Sequence, residues 1–221
     1  LATINGQKPL EAAENVFGDL DQLEKELKAY LRKRRMFTFG LSPEKLSASK
    51  VTMRRLPEGE AKMMDVRIRS QRGVNQEQAA ELVVEARAIA AKYPEDAGVQ
   101  AALAEAEYDA GDDDAAIAAA DKAIALNPAL TNAYVQKGYA LFRKAGEAED
   151  ADAAYDRAME PFTALNQIEN DHPLPLVYYH RSYVERGLAP SENARHALER
   201  AAQLAPFDQT LWFQVAMMQI K

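Results

Sequence analysis

Apolar and small positions along residues 97–130 follow a helical period, break at Gly111, resume, and stop before Pro128. The pattern predicts two amphipathic helices joined by a tight turn. Leu103 and Ala104 make a large–small contact pair on the first helix. Ala116, Ala120 and Ala123 give the second helix a face of small residues that a neighbour can approach closely. Gly111 supplies the permissive backbone for the turn, and Pro128 cannot continue a helix. The same grammar returns over 175–208, with Tyr178, Ala194, Leu198, Ala201 and a terminating Pro206. Between them, 131–173 begins well (Tyr134, Gly138, Leu141; then Tyr155 and Ala158). Its second helix overruns, however, and Pro161 is expected to kink or restart it.

The flanks are weaker. Asn75 with Gln78 three residues on forms a capping-box start for a helix running to Tyr93, closed by Pro94. Ahead of it, 58–72 reads as a helix, although Asp65-Val66-Arg67-Ile68-Arg69 also alternates like a strand. Residues 209–221 supply one more first helix, with Trp212, Val215 and Ala216 at contact positions. Near the start, Asp19 caps a helix through about Arg35 whose stripe is Leu20, Leu23, Leu27, Tyr30 and Leu31. Met36–Leu41 and Val51–Leu56 then read as short strands of a hairpin or an extended linker.

The 97–130 unit resembles the tetratricopeptide repeat family, whose pattern is large–small in the first helix, three small or aromatic contacts in the second, then proline. The resemblance implies an all-α, right-handed α-α superhelix that presents surface to a protein or peptide partner. The array is expected over 57–221, divided as 57–94 (degenerate), 97–130, 131–173, 175–208 and a final helix 209–221. It follows a helical and hairpin segment, 1–56, read as the end of an upstream domain. A second resemblance covers nearly the whole chain. The stretch INGQKPLEAAENVFGDLDQLEKELKAYLRKRR, followed by MRRLPEGEA and RIRSQRGV, is similar to the C-terminal region of bacterial gluzincin-type metallopeptidases that carry such repeats. It implies an exported parent with a zinc peptidase domain upstream of Leu1, because no His-Glu-x-x-His occurs here. Without it a cytoplasmic location is expected, the zero-cysteine composition fitting either cytoplasm or periplasm.

Charge sharpens the partition. Net charge is −7 overall, yet residues 1–72 hold 15 Lys/Arg against 10 Asp/Glu, and the rest hold 12 against 24. An acidic array repels nucleic acid, so none is expected as a partner. No apolar run is long enough to span a bilayer as a helix. The basic run Arg32–Arg35 is best read as cations at the negative end of a helix dipole.

Candidate chemistry is sparse. His172, His180 and His196 lack the spacing of a helical metal site, and capping explains His172. Asp112-Asp113-Asp114 lacks the alternating ligands of a calcium loop and suits a helix N-terminus. No cofactor, metal or catalytic residue is expected in this chain, which is read as a non-catalytic interaction or scaffolding module. The alternative is the accessory region of a zinc metallopeptidase. If first helices line the concave side, repeat phase assigns a peptide groove to Glu105, Tyr108, Asn132, Tyr139, Phe142, Arg143, Tyr179, Tyr183, Arg186 and Phe213. Aromatics and arginine suit a binding hot spot. On that reading Tyr139 and Tyr183 are dispensable for stability. The competing reading has the overlong helix fold back and fill the groove. A carboxylate clamp of the co-chaperone kind is excluded by Ala101, Glu105, Gln136, Leu176 and His180 at its positions. Self-association through Trp212 and Phe213 on the last helix is a further expectation.

Overall fold

The computed structural model describes residues 18–32, 53 and 55–220. Ten helices are described, and among the described residues there is no strand. They are α1 (Leu20–Leu31), α2 (Glu58–Gln71), α3 (Gln76–Ala90), α4 (Ala97–Ala110), α5 (Asp113–Leu126), α6 (Thr131–Ala145), α7 (Ala151–Ile168), α8 (Pro173–Glu185), α9 (Glu192–Leu204) and α10 (Gln209–Ile220). Contacts divide the chain into two units, one spanning Arg55–Met218 and the other holding Leu1–Arg54 with the last three residues. In the latter, α1 is capped by Asp19, whose carboxylate accepts from the backbone of Asp21 and Gln22. Nearly all of the hairpin expected over 36–56, and residues 4–17 and 33–35 of the peptidase-like stretch, lie outside the described residues.

Within Arg55–Met218 the helices pack as successive hairpins, α2/α3, α4/α5, α6/α7 and α8/α9, followed by α10. Local chemistry places each boundary. Asn75 and Gln78 form a full capping box at α3. Asp96, Asp112, Asp150, Ser191 and Asp208 accept from backbone N–H groups in the first turns of α4, α5, α7, α9 and α10. His172 caps α8, its Nδ1 accepting from Leu174 at 3.3 Å. At the α4/α5 turn Gly111 takes φ +88°, where a Cβ would be strained, and the Asp112 N–H returns to the Glu107 carbonyl. The alanine faces then close. Ala104, Ala116, Ala120 and Ala123 are all inaccessible to solvent.

The ambiguous stretch before α3 is helical. Met63, Val66 and Ser70 are buried at three- and four-residue spacing, whereas Ile68, which an alternating strand would pair with Val66, is exposed. Asp96 also reaches across to accept from the Glu60 N–H at 3.3 Å, tying the N-termini of α2 and α4 together. On the other side of α4, buried Glu107 takes two hydrogen bonds from the Arg87 guanidinium, at 2.7 and 2.5 Å. That pairing offsets part of the cost of desolvating the carboxylate.

The middle unit is stretched. α4 and α6 start 34 residues apart, at Ala97 and Thr131, but α8 starts 42 residues after α6, at Pro173. The excess lies partly in α7, an 18-residue helix beside the 14-residue α5. Contrary to the expected restart, α7 is one helix through Pro161. Pro161 lacks the N–H that would bond the Arg157 carbonyl, and it is buried on the packed side of the helix. From the next position Phe162 projects into the interior with no exposed surface.

Candidate functional site

Helices α4, α6 and α8 with its C-cap carry all the predicted groove residues except Phe213, and the structure divides them into two groups with an aromatic core between. Phe162 stacks on Tyr178, ring centroids 4.3 Å apart, and Phe142 meets Tyr178 edge-on at 4.6 Å. Phe142 also packs against Tyr155 at 5.3 Å and Phe162 at 5.7 Å. Its assignment to the groove is therefore corrected. Phe142 is only 6% exposed, because the ring from overlong α7 enters beside it. The space for that ring is opened by Gly138 on α6.

Tyr139 stands at the edge of this core and is half-buried. Its ring lies 5.4 Å from Tyr178, 5.6 Å from Tyr108 and 6.3 Å from Phe162. Burial pushes its phenol far above the ordinary tyrosine value, and the neighbouring Tyr178, Tyr108 and Glu105 add to the rise. A ring so engaged argues against the expectation that Tyr139 is dispensable for stability.

The first group lies on α4 and α6. Glu105 is half-buried, and its Oε2 accepts from Asn132 Nδ2 at 3.4 Å. Asn132 Oδ1 in turn accepts from Gln136 Nε2 at 3.4 Å. One turn along α4, Asp109 accepts from the Ser70 hydroxyl on α2. Burial raises the carboxyls of both Glu105 and Asp109 above their ordinary values. Asn132 and Arg67 counter this only in part at Glu105, as do Ser70 and Arg143 at Asp109. The Arg143 guanidinium lies 4.1 Å over the Tyr108 ring and donates to both oxygens of Asp113 and to the Tyr108 carbonyl. Lys144 bonds Asp114 at 2.5 Å. The acidic triplet at α5 thus has defined roles: Asp112 caps, while Asp113 and Asp114 anchor the end of α6.

The second group lies on α8. Tyr179 and Tyr183 touch through their hydroxyls at 3.5 Å, with rings edge-to-face at 5.7 Å. Arg186 lies 5.5 Å from the Tyr183 ring centre and reaches Asp152 on α7 at 3.4 Å. Phe213 is isolated from both groups on α10, where it is 65% exposed beside exposed Trp212 and Met217. His180 holds a buried Nε2 with no hydrogen-bond partner, and burial with nearby Arg195 lowers its basicity. Among the described residues no group of His, Asp or Glu is placed to hold a metal, and no helix is long and apolar enough to cross a membrane.

Sequence reasoning missed Ser70 and Arg67, because the segment that carries them read as either helix or strand. It also passed over Gln136, noted only as a residue unsuited to a carboxylate clamp. The helical spacing Met63–Val66–Ser70 was the available signal for α2.

The raised carboxyl of Glu105 has a definite pH consequence. Its folded-state affinity for a proton exceeds that of an unfolded carboxyl, ordinarily near 4.5. Stability tied to this group is therefore full below about that pH and is lost as pH rises through the folded-state value. Glu105→Gln is expected to raise the urea midpoint at pH 7, and the gain should vanish by pH 4. Equal midpoints of the two proteins at pH 7 would contradict this.

No protein-family model matches the sequence, and no characterised protein matches it significantly. Solved structures do resemble it. The MamA protein superposes with a TM-score of 0.52 at 18% identity, over 69% of this chain and 76% of that one. MamA 41-end from Desulfovibrio magneticus RS-1 gives 0.54 at 17% identity, over 75% and 86%. A thermophilic TPR protein in Thermus thermophilus gives 0.44 at 13% identity, over 72% and 99%, too loose an overlap to carry an argument. At these identities the likeness is one of fold. The chain is all-α, with its helices packed as successive hairpins, a fold it shares with the MamA structures.

Proposed function

We propose that the array is a non-catalytic protein-interaction module that holds a peptide segment against its first helices. The observation that supports this is the side-chain chemistry left half-exposed there. Tyr108 and Tyr139 present aromatic surface near Glu105 and Asn132, and Tyr179 and Tyr183 do so on α8, whereas α5 buries its alanine face. Rigid aromatics next to fixed polar groups are the usual anchors of a binding surface. Phe162 fills part of the interior between α6 and α8, while side chains of both groups stay part-exposed.

Site-specific photocrosslinking tests this reading. A benzoylphenylalanine at Tyr183 or Tyr108 in the full-length protein should capture a discrete partner in its native host. The same group at Ala118, exposed on α5, should capture none. Equal products from both faces would refute a concave binding surface. A second reading, an accessory region of a zinc metallopeptidase, rests on the sequence resemblance around residues 4–35 and 53–74. A His-Glu-x-x-His motif in the reading frame upstream of Leu1 would favour it.

A further inference from the structure

Helix α8 carries the Tyr179–Tyr183 group, and both histidines that hold it sit where only the uncharged ring fits. His172 is its N-cap, and Nδ1 accepts the Leu174 N–H at 3.3 Å. A protonated imidazole donates from both nitrogens, so this bond ends when the ring takes up a proton. The new charge would also stand at the positive end of the helix dipole. Asp171 and Glu169 lie in the same turn, where the Glu169 carbonyl accepts the His172 N–H at 3.2 Å.

His180 lies on the packed side of α8. It follows Leu176 and Val177 by one turn, and those two rest against the Leu198, Leu211 and Val215 core of α9 and α10. Its Nε2 is enclosed and meets no hydrogen-bond partner among the described residues. A neutral ring can leave Nε2 bare and keep its proton on Nδ1. A charged ring must place an N–H there, aimed at nothing that accepts. Burial and Arg195 on α9 hold its proton affinity below the ordinary value. From Gln209 to Ile220, α10 has no charged side chain. On α7, Asp152 and Asp156 are turned to Arg186, and on α8 Glu185 is paired with Arg181. The charge that reaches His180 is thus a positive one.

We propose that α8 is an acid-sensitive element: protonation of His172 and His180 breaks its N-cap and its seat on α9, loosening the helix that presents Tyr179 and Tyr183. Mild acid then withdraws one of the two groups offered to a partner and leaves the α4/α6 group standing. That consequence rests on the interaction-module reading, whereas the loosening does not. The ordinary imidazole value is 6.5, and His180 lies below it in the folded chain. The seat is therefore fully stable above about pH 6.5 and loses stability as pH falls through the folded-state value.

Hydrogen exchange of the full chain, read by mass spectrometry at about pH 7.5 and about pH 5.5, tests this on the wild type and on the double variant His172→Asn, His180→Phe. Asparagine keeps a cap acceptor and phenylalanine keeps a ring, and neither titrates. Comparing the two proteins at one pH cancels the intrinsic dependence of exchange on acidity. Opening of α8 in the wild type, relative to the variant, should grow by about twofold to tenfold per histidine at the lower pH. The upper figure is the limit for a ring that takes its proton only when opened, about tenfold one unit below 6.5. Helices α4 and α5 should show no such growth. Growth below about twofold in α8 would overturn the proposal, as would equal growth across the array. A second measurement needs no variant. With the histidine rings isotope-labelled, His180 should stay neutral below about pH 6.5 and gain its proton together with shifts of α8 and α9 amides. A ring that titrates at the free-histidine value while those amides stay put would refute it as well. Equal crosslinking from both faces would remove the module reading and leave the acid response intact, so the two fail separately.

Discussion

Phe162→Ala lowers the unfolding free energy by about 3–5 kcal/mol, the range for emptying a fully buried phenylalanine site. The ring has no exposed surface and touches Tyr139, Phe142 and Tyr178, which belong to two different first helices. Its removal opens a cavity where α6, α7 and α8 meet, and flat neighbouring rings cannot collapse into it easily. Urea unfolding followed by helical circular dichroism should show the loss. The damage should spread along the array, because each hairpin is stabilised by its neighbours. A loss below about 1 kcal/mol would mean that the aromatic cluster is not a core.

Gly138→Ala is expected to cost about 3 kcal/mol, the upper end for overpacking. A Cβ built at this glycine falls 2.5 Å from two ring carbons of Phe162. The ring cannot retreat, since its other face is stacked on Tyr178 at 4.3 Å. The two positions should therefore be coupled. In a Phe162→Leu background the same alanine should cost less than about 1 kcal/mol, leaving an interaction energy of about 2 kcal/mol. Strictly additive losses would show that the glycine is needed for something other than the ring.

The strict 34-residue unit was the most legible part of the chain. Its alanine faces, Gly111 turn and aspartate caps are local signals, and α4 and α5 close on them. What escaped was where α7 sends its side chains. Repeat phase projects a constant period onto every first helix and so placed Phe142 in the groove. The extra length between α6 and α8 breaks that constancy, and Phe162 enters through the gap at Gly138. A sequence shows that a phenylalanine and a glycine exist, but not that one fits over the other across 24 positions. The α2 stretch was read as a helix and is one, although five alternating residues alone are too few to tell a strand from one face of a helix. The Glu105–Asn132–Gln136 relay was hidden because each member lies in a plausible helix position alone. Only their convergence across two helices makes them a cluster.

Among the described residues, helix α10 is packed through one face. Leu211 and Val215 hold it against Leu198, Ala201 and Ala202, while Trp212 and Phe213 face outward. Along a one-dimensional stack, each helix is protected in proportion to what lies on both sides of it. Opening should therefore proceed as an ordered peel. Amide hydrogens of 211–218 exchange with solvent first, those of α8 and α9 later, and those of α4 and α5 only when the molecule unfolds as a whole. The array thus carries a built-in gradient of kinetic protection, loosest at α10 and tightest around the alanine-packed hairpin.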